Sequence, residues 1–245
     1  MDYSTMLALW ALYDKVDKKQ NKLIIYTLLL LFLLKKNKRI LTTSYTYNKE
    51  EVNALKQKAV QDMQDLLNKQ YEQIKELMQD SLINSYEEAQ KILNETLGVN
   101  SNLTLQEIEE LTKQTWVGTK NFEQRLAWNL NQILEKYEEL LKEDAPLWEL
   151  KQLQENYFYR LRRLLETETH RDINEACLKA YRAKGIEFVE WIATMDERTC
   201  PVCAGRDKKI YPLADAPFVP DHPFCRCLLV PSTQEEYEWT LQNTD

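Results

Sequence analysis

The stretch that decides the fold of the C-terminal third is residues 200–227, which read CPVCAGRDKKIYPLADAPFVPDHPFCRC. Four of the chain's five cysteines lie here, and together with one histidine they follow the spacing C-x2-C-x18-H-x2-C. Each short pair can form a tight turn whose two side chains converge, and four such nitrogen and sulfur donors suit a tetrahedral Zn²⁺ ion. The expected ligands are Cys200, Cys203, His222 and Cys225. Cys227 is an alternative to Cys225 that the spacing leaves open.

A structural role for the metal follows from the number of donors. A site whose four positions are all filled by protein atoms has none left for a substrate water, which is typical of structural zinc. The 47 residues from Gly185 to Pro231 are also too few for a stable core of their own. Structural zinc contributes on the order of 10 kcal/mol of folding free energy in small domains, so we expect it to hold this segment together.

The cysteines have three other interpretations. A disulfide framework needs an oxidising compartment, of which the sequence gives no sign. A redox C-x-x-C motif places the start of a helix at Cys200, whereas residues 204–207 read as a turn. Buried reduced thiols without a ligand are the third interpretation, and it is the one we expect for Cys177, on the apolar side of its helix.

A zinc deaminase is an enzymatic alternative, because His170 lies upstream of the C-x-x-C pair. The H-x-E and P-C-x-x-C signature of these enzymes is matched incompletely, since Asp172 replaces the glutamate and Thr199 replaces the proline. That arrangement also gives His222 and Cys225 no role as metal ligands. We therefore expect His170 on the solvent or packing face of its helix.

Upstream of Gly185 the chain reads as almost entirely helical. Apolar residues recur there at steps of three and four, and proline or glycine ends each run. Thr104 and Glu107 form a capping box that starts a short helix, and Gly185 stands where a left-handed cap is expected. The predicted helices cover residues 48–96, 104–116, 122–141 and 147–184, and the first of these is either one long amphipathic helix or a broken pair.

After Gly185 the residue pattern is no longer that of a helix. β-Branched and aromatic residues indicate a strand within Ile186–Met195. Two shorter strand candidates are residues 209–213 and 226–230. The fold class is therefore mostly α, a long helical N-terminal body followed by a small zinc-stapled α+β C-terminal module. The expected segments are a helical arm over 1–110, a second helical part over 111–185, the zinc module over 186–231 and a C-terminal tail over 232–245.

Composition excludes several classes of protein. The 245 residues include only 4 glycines and 2 histidines, which argues against glycine-rich phosphate loops and histidine-cluster catalysis. The net charge of −7 is uneven, with net +5 in residues 1–40 and net −9 in residues 41–156. An acidic body argues against wrapping nucleic acid as a bulk activity.

The segment Leu23–Leu34 reads LIIYTLLLLFLL and is flanked by lysines on both sides. As a helix it would span about 18 Å against a hydrocarbon core of about 30 Å, so we expect no stable membrane span. A helix buried in a core or in a partner surface is the favoured interpretation, and contact with a membrane surface is the alternative. No cleavage site follows, and we place the protein inside a cell.

The motifs of the C-terminal half resemble those of the phage minor head protein family, also called phage head morphogenesis proteins, with a phage Mu F-like domain. The string D-x-R-T-C-x-x-C followed by H-P-x-C-R-C, over Asp196–Cys203 and His222–Cys227, is long and specific. Two positions depart from the family pattern, Lys208 in place of a glycine and Glu166 in place of an arginine. The other segments that carry the resemblance are residues 116–122, 125, 128, 167–171, 174–176, 180–181, 191–195, 207–209 and 216–217.

This resemblance implies a virion component without enzymatic activity. Proteins of the family associate with the portal during head assembly and affect DNA packaging or ejection. The expected partners are the portal protein, the major capsid protein or both, and the expected location is the capsid interior or portal vertex, after assembly in the host cytoplasm. Whether the parent is an active phage or a resident prophage is left open.

Two other functions remain as alternatives, a zinc-dependent enzyme or toxin acting on nucleic acid, and a cellular zinc-ribbon adaptor. The last long helix carries a net positive stretch around His170 that reads as a solvated helix face, with contact to DNA phosphate as the alternative. Its basic members are Arg160, Arg162, Arg163, Arg171, Lys179, Arg182 and Lys184.

Overall fold

The computed structural model describes residues 49–98, 104, 106–107, 110, 113–115 and 118–243. The predictions for Leu23–Leu34 and for the helix end at Trp116 lie outside these residues. Within them the fold is mostly helical, with one small sheet near the C-terminus, which confirms the predicted class.

Three long helices have the bounds that the sequence predicts, to within one residue at each end. Helix α1 is Lys49–Leu97, α2 is Phe122–Lys142 and α3 is Leu147–Lys184. Asn121 caps α2 by accepting a hydrogen bond from the backbone of Gln124 at 2.9 Å, and the Gln124 side chain accepts one from the Asn121 backbone at 3.1 Å. These caps satisfy backbone groups that the first helical turn leaves unpaired.

The caps predicted around the helices are also present. The Thr104 backbone N–H donates to Glu107 Oε2 at 2.8 Å, and the Glu107 N–H donates back to Thr104 Oγ1 at 3.3 Å. Glu107 also pairs with Lys179 on α3 at 3.0 Å. Gly185 ends α3 with a φ of 74°, the left-handed conformation that only glycine adopts at little cost.

The C-terminal module is a three-stranded antiparallel sheet with two short helices. In chain order these are β1 Phe188–Ile192, α4 Pro201–Arg206, β2 Ile210–Pro212, β3 Leu228–Ser232 and α5 Gln234–Asn243. The strand order is β2-β1-β3, so that β1 lies in the middle, with Val189 and Trp191 fully buried. Helix α5 occupies most of the segment predicted as a tail, and its Tyr237 ring stacks on Phe188 at 5.0 Å.

Two predictions about the module are wrong. Of residues 204–207, expected to be a turn, the first three complete the short helix α4, and only Asp207 lies in a turn. Cys200 caps this helix, and Pro201 stands at its first position. Strand β3 begins at Leu228, two residues later than predicted, because it follows a tight turn over residues 222–225, in which Phe224 has a φ of 62°.

The chain divides into two compact units, and α1 and α3 contribute residues to both. One unit takes the described residues within 49–79 and 112–164, and its core includes Met63, Leu126 and Tyr137. The other takes the described residues within 80–111 and 165–243. Its core consists of aliphatic and aromatic side chains from α1, α3 and the sheet, including Leu93, Ala180, Tyr181, Trp191 and Leu228. The segment boundaries expected at residues 110, 185 and 231 remain a proposal.

Over the part of the chain that the structure covers, none of the helices combines the length and the apolar character needed to cross a membrane.

Lys208 provides a test of backbone strain beside the sheet. Its φ of 64° lies in the left-handed region, where a side chain costs about 1–2 kcal/mol. We expect Lys208→Gly to raise the free energy of unfolding by about 1 kcal/mol, measured by urea denaturation of the metal-loaded protein. The neighbouring change Lys209→Gly is the matched control and should lower it by about 0.5–1 kcal/mol. A lower stability for Lys208→Gly would contradict the strain.

Candidate metal centre

The structure places the predicted ligands in two groups of donor atoms that share Cys203. The Nε2 atom of His222 lies 3.3 Å from Cys200 Sγ and 3.1 Å from Cys203 Sγ, and the Sγ atoms of Cys203 and Cys225 are 4.0 Å apart. Around tetrahedral zinc, metal–ligand distances of about 2.3 Å for sulfur and about 2.0–2.1 Å for nitrogen separate two sulfurs by about 3.8 Å and sulfur from nitrogen by about 3.6 Å. The observed separations therefore fit a metal ion among these side chains.

Cys227 is part of the same cluster. The donor atoms of Cys203, Cys225 and Cys227 lie within 4.8 Å of one another, as do those of Cys200, Cys203 and His222, so that Cys203 belongs to both groups. All of these cysteines are free thiols, and the five donors line one cavity of about 10 Å³. A space of that size holds a single water-sized atom.

The first pair of ligands is positioned by the start of α4. Cys200 is the cap residue, and its Sγ accepts a hydrogen bond from the Cys203 backbone N–H at 3.3 Å. This hydrogen bond lowers the pKa of the Cys200 thiol, which favours the thiolate that a metal binds. One turn of helix thus places two sulfurs on the same side.

The second pair is positioned by a turn over residues 222–225. The Cys225 N–H donates to the His222 carbonyl at 3.1 Å, and His222 Nδ1 donates to the Pro223 carbonyl at 2.8 Å. With its proton on Nδ1, the ring directs the Nε2 lone pair at Cys200 and Cys203, as a metal-binding histidine does. A hydrogen bond from the Cys227 thiol lowers the pKa of Cys225 and raises that of Cys227.

The D-x-R-T-C motif forms a turn that ties the two pairs together. Asp196 Oδ1 accepts hydrogen bonds from the Arg198 N–H at 2.9 Å and from Arg226 Nη2 at 2.6 Å, and Arg226 stands between Cys225 and Cys227. The Arg226 hydrogen bond holds the pKa of Asp196 well below its usual range. Thr199 donates to the Thr194 carbonyl and so closes the turn directly before Cys200.

A second ion pair also joins the two halves of the centre. Arg206, the last residue of α4, lies 2.9 Å from the carboxylate of Asp221, which directly precedes His222. The Arg206 guanidinium also lies over the Trp191 ring at 5.1 Å. Partly exposed pairs of this kind contribute about 1 kcal/mol or less each, so their main effect is on position.

Four side chains on one stripe of α3 contact the backbone of residues 224–229, the segment that carries the second half of the metal centre, Cys225 and Cys227. Thr167 Oγ1 accepts from the Phe224 N–H at 3.2 Å, and Tyr181 donates its hydroxyl to the Leu229 carbonyl at 2.9 Å. Between them, His170 Nε2 and Asn174 Nδ2 approach the Cys227 carbonyl at 2.6 and 3.5 Å. The spacing of three, four and seven residues puts all four on one face of the helix. We call this set the α3 clamp.

The α3 clamp corrects the interpretation of this stretch as a solvated face. Residues 166–174 are buried, and His170 is 0% exposed. Arg171, expected in a basic surface patch, is instead buried beside Asp172 at 2.8 Å and Glu168 at 3.8 Å. Charge alternation resembles a surface helix, and nothing local in the sequence distinguishes it from a buried network. The signal in the sequence that could have indicated burial is the recurrence of polar residues at a spacing of seven positions.

The geometry also separates the histidines. His170 holds a backbone carbonyl, and burial lowers its pKa, whereas His222 lies beside Cys200 and Cys203. The deaminase arrangement would put His170 with the C-x-x-C pair. Cys177 lies in the core as predicted, where burial raises the pKa of its thiol to about 12.

A comparison with models of known protein families finds a match for the part of the chain that contains the metal centre. Residues 130–230 match the family model described as Phage Mu protein F like protein. This region is phage Mu F-like. The match confirms the resemblance read from the sequence motifs, and the phage Mu F-like region contains the α3 clamp, the Asp196 turn and all five metal donors. No curated protein and no solved structure gives a significant match to the chain.

Removing one hydroxyl tests the α3 clamp. We expect Tyr181→Phe to lower the free energy of unfolding by about 1–3 kcal/mol, because it removes the buried donor to the Leu229 carbonyl. Release of bound metal to a chelator should also become faster, since the clamped segment carries Cys225. Tyr237→Phe is the matched control, as its ring keeps the stack on Phe188, and it should change stability by less than about 0.5 kcal/mol. Equal effects of the two changes would contradict the clamp.

Proposed function

We propose that the protein is a minor head protein of a phage, which binds the portal or major capsid protein and contributes to head morphogenesis, DNA packaging or ejection. The match of residues 130–230 to the phage Mu F-like family is the observation that carries this proposal. The protein acts by contact with other head proteins and has no catalytic role. It is assembled in the host cytoplasm and resides in the capsid interior or at the portal vertex.

The proposal includes one structural Zn²⁺ ion. Three thiolates and one imidazole form a donor set that suits zinc, with all four positions supplied by protein. Cys200, Cys203 and His222 already lie within 4.8 Å of one another, and Cys225 Sγ, 4.0 Å from Cys203 Sγ, would move toward the other two on binding the ion. Its ligands are Cys200, Cys203, His222 and Cys225. Bound there, zinc would tie α4 to the segment that the α3 clamp holds, and so stabilise the whole sheet module.

Exposed apolar side chains on the module support a role in protein contact. Aromatic residues and methionine are enriched in protein interfaces, where they supply large contact areas. In the unit that contains the sheet, one methionine, two aromatic and two aliphatic side chains are between 45% and 65% exposed: Met195, Phe218, Trp239, Val202 and Leu241. A portal or capsid surface would cover these residues, and the helical arm predicted over 1–110 would add further apolar helix faces.

Contact with DNA is a further part of the proposal, and it is based on exposed basic side chains near the two ends of α3. Arg171 is buried in ion pairs, but Arg160, Arg163, Arg182 and Lys184 are exposed. These side chains could meet phosphate if the packaged DNA runs along this helix. Binding would then weaken as the salt concentration rises.

Loss of one ligand tests the structural zinc. We expect Cys200→Ser to lose the metal and to unfold residues 186–231, while the helical body largely survives, because the small module lacks a sufficient core of its own. Zinc content by mass spectrometry, far-UV circular dichroism and hydrogen exchange of residues 186–231 would measure this. Cys177→Ala, a cysteine outside the centre, should keep about one zinc per chain. Unchanged zinc content and melting of Cys200→Ser would show that the ligand assignment is wrong.

Assembly with head proteins tests the function itself. Tagged protein should co-sediment with procapsids in a few copies each, and should bind isolated portal rings or the major capsid protein. Procapsids made without portal distinguish these partners, since a portal-bound protein would be missing from them. Trp239→Ala together with Phe218→Ala should weaken the association, whereas the exposed Trp128→Ala on α2 is a control of matched type. A protein that stays free of portal and procapsids alike would overturn the proposal.

A further inference from the structure

The metal centre contains one thiol more than zinc requires. Cys227 is 3% exposed, and its sulfur lies within 4.8 Å of those of Cys203 and Cys225, which are each 2% exposed. The four zinc ligands proposed above leave this buried sulfur unused. The centre therefore has two overlapping sets of donors, a mixed set with His222 and a set made of sulfur alone.

We propose that Cys203, Cys225 and Cys227 form an all-thiolate site that binds a soft monovalent cation such as Cu(I), in competition with zinc. This inference rests on the metal centre proposed above and names a second occupant for it. Soft thiolate ligands suit Cu(I) as well as zinc, but three thiolates alone leave a structural zinc ion one protein ligand short of its usual four. The set made of sulfur alone therefore favours Cu(I), and the set of four donors with His222 favours zinc.

The distance between the sulfurs of Cys203 and Cys225 is compatible with three-coordination by sulfur, and the sulfur of Cys227 lies within 4.8 Å of both. Three sulfurs in a plane around a metal, at metal–sulfur distances of about 2.3 Å, are separated by about 4.0 Å, against about 3.8 Å in a tetrahedron. The Sγ atoms of Cys203 and Cys225 are 4.0 Å apart. All three cysteines are buried, whereas Cys200 and His222 are half-buried at the outer side of the cavity.

The backbone keeps both Cys225 and Cys227 directed at the same space. Both sulfurs line the same cavity, and the intervening Arg226 is held by Asp196 at 2.6 Å. His170 fixes the Cys227 carbonyl at 2.6 Å. The third thiol is therefore held in place by protein contacts and does not depend on a bound metal.

The two donor sets exclude each other. Cys203 belongs to both groups of donors, and the zinc ligands proposed above use Cys225 as well. The cavity of about 10 Å³ that the donors line holds a single water-sized atom. A soft cation that takes the inner set must therefore displace zinc from the outer one. Cys200 and His222 would then lose their metal, and the link between α4 and the following turn would loosen.

Competition on the full-length protein tests this proposal. Zinc-loaded protein is titrated with Cu(I) under anaerobic conditions in the presence of a chromophoric Cu(I) chelator, and released zinc is measured in the same samples. We expect one Cu(I) per chain to displace the zinc, and X-ray absorption at the copper edge to show sulfur ligands without imidazole.

Two variants separate the donor sets. Cys227→Ser should keep its zinc and lose affinity for Cu(I) by about tenfold or more, whereas His222→Ala should lose zinc affinity and bind Cu(I) nearly as tightly as the wild type. Imidazole in the copper spectrum of the wild type, or equal Cu(I) affinity in Cys227→Ser, would overturn the proposal. Loss of zinc from a folded Cys227→Ser would overturn it too, because Cys227 would then belong to the zinc set. Failure to bind portal or procapsids would contradict only the proposed function.

Discussion

The hydrogen bonds that run from one face of α3 to the backbone of residues 224–229 are the constraint on which the rest of the C-terminal structure depends. They fix a segment that has little regular structure of its own and carries Cys225 and Cys227. The bonds made by His170, Asn174 and Tyr181 are buried, so breaking one of them leaves a polar group without a partner in a place that water does not reach. Because four of them act on six residues, the second half of the metal centre has a defined position relative to α3. The first half then needs only the cap of α4 and two ion pairs to complete it.

The buried charges of α3 also help to fix the orientation of this helix. Arg171 is 2% exposed and has two acidic neighbours, and its removal from water is tolerable only with such partners. A network of this kind contributes less to stability than an apolar core of equal volume. It does restrict the ways in which the helix can rotate or slide, since any other register would bury an unpaired charge. The helix face that presents Thr167 and Tyr181 is thereby fixed.

Much of this architecture could be predicted from the sequence. The three long helices are read from apolar periodicity and from Pro146, Gly98 and Gly185 at their ends, because those signals act locally. The approach of Cys200, Cys203 and His222 to one another, and of Cys225 to Cys203, follows from their spacing. The burial of residues 166–174 and the role of His170 could not be predicted, since their partners lie more than fifty positions away along the chain. The late start of β3 has the same origin, because the turn at Phe224 is imposed by contacts with α3 and displaces the strand that local propensity favours.

The α3 clamp also limits how this segment could be exchanged between proteins. A fragment cut at Gly185 keeps every metal ligand yet loses the hydrogen bonds from Thr167, His170, Asn174 and Tyr181. Transplanted onto another helix, it would chelate a metal and still lack the fixed backbone that aims its sulfurs. The unit that recombination can move intact therefore begins near the middle of α3, and the zinc motif alone is not a portable part.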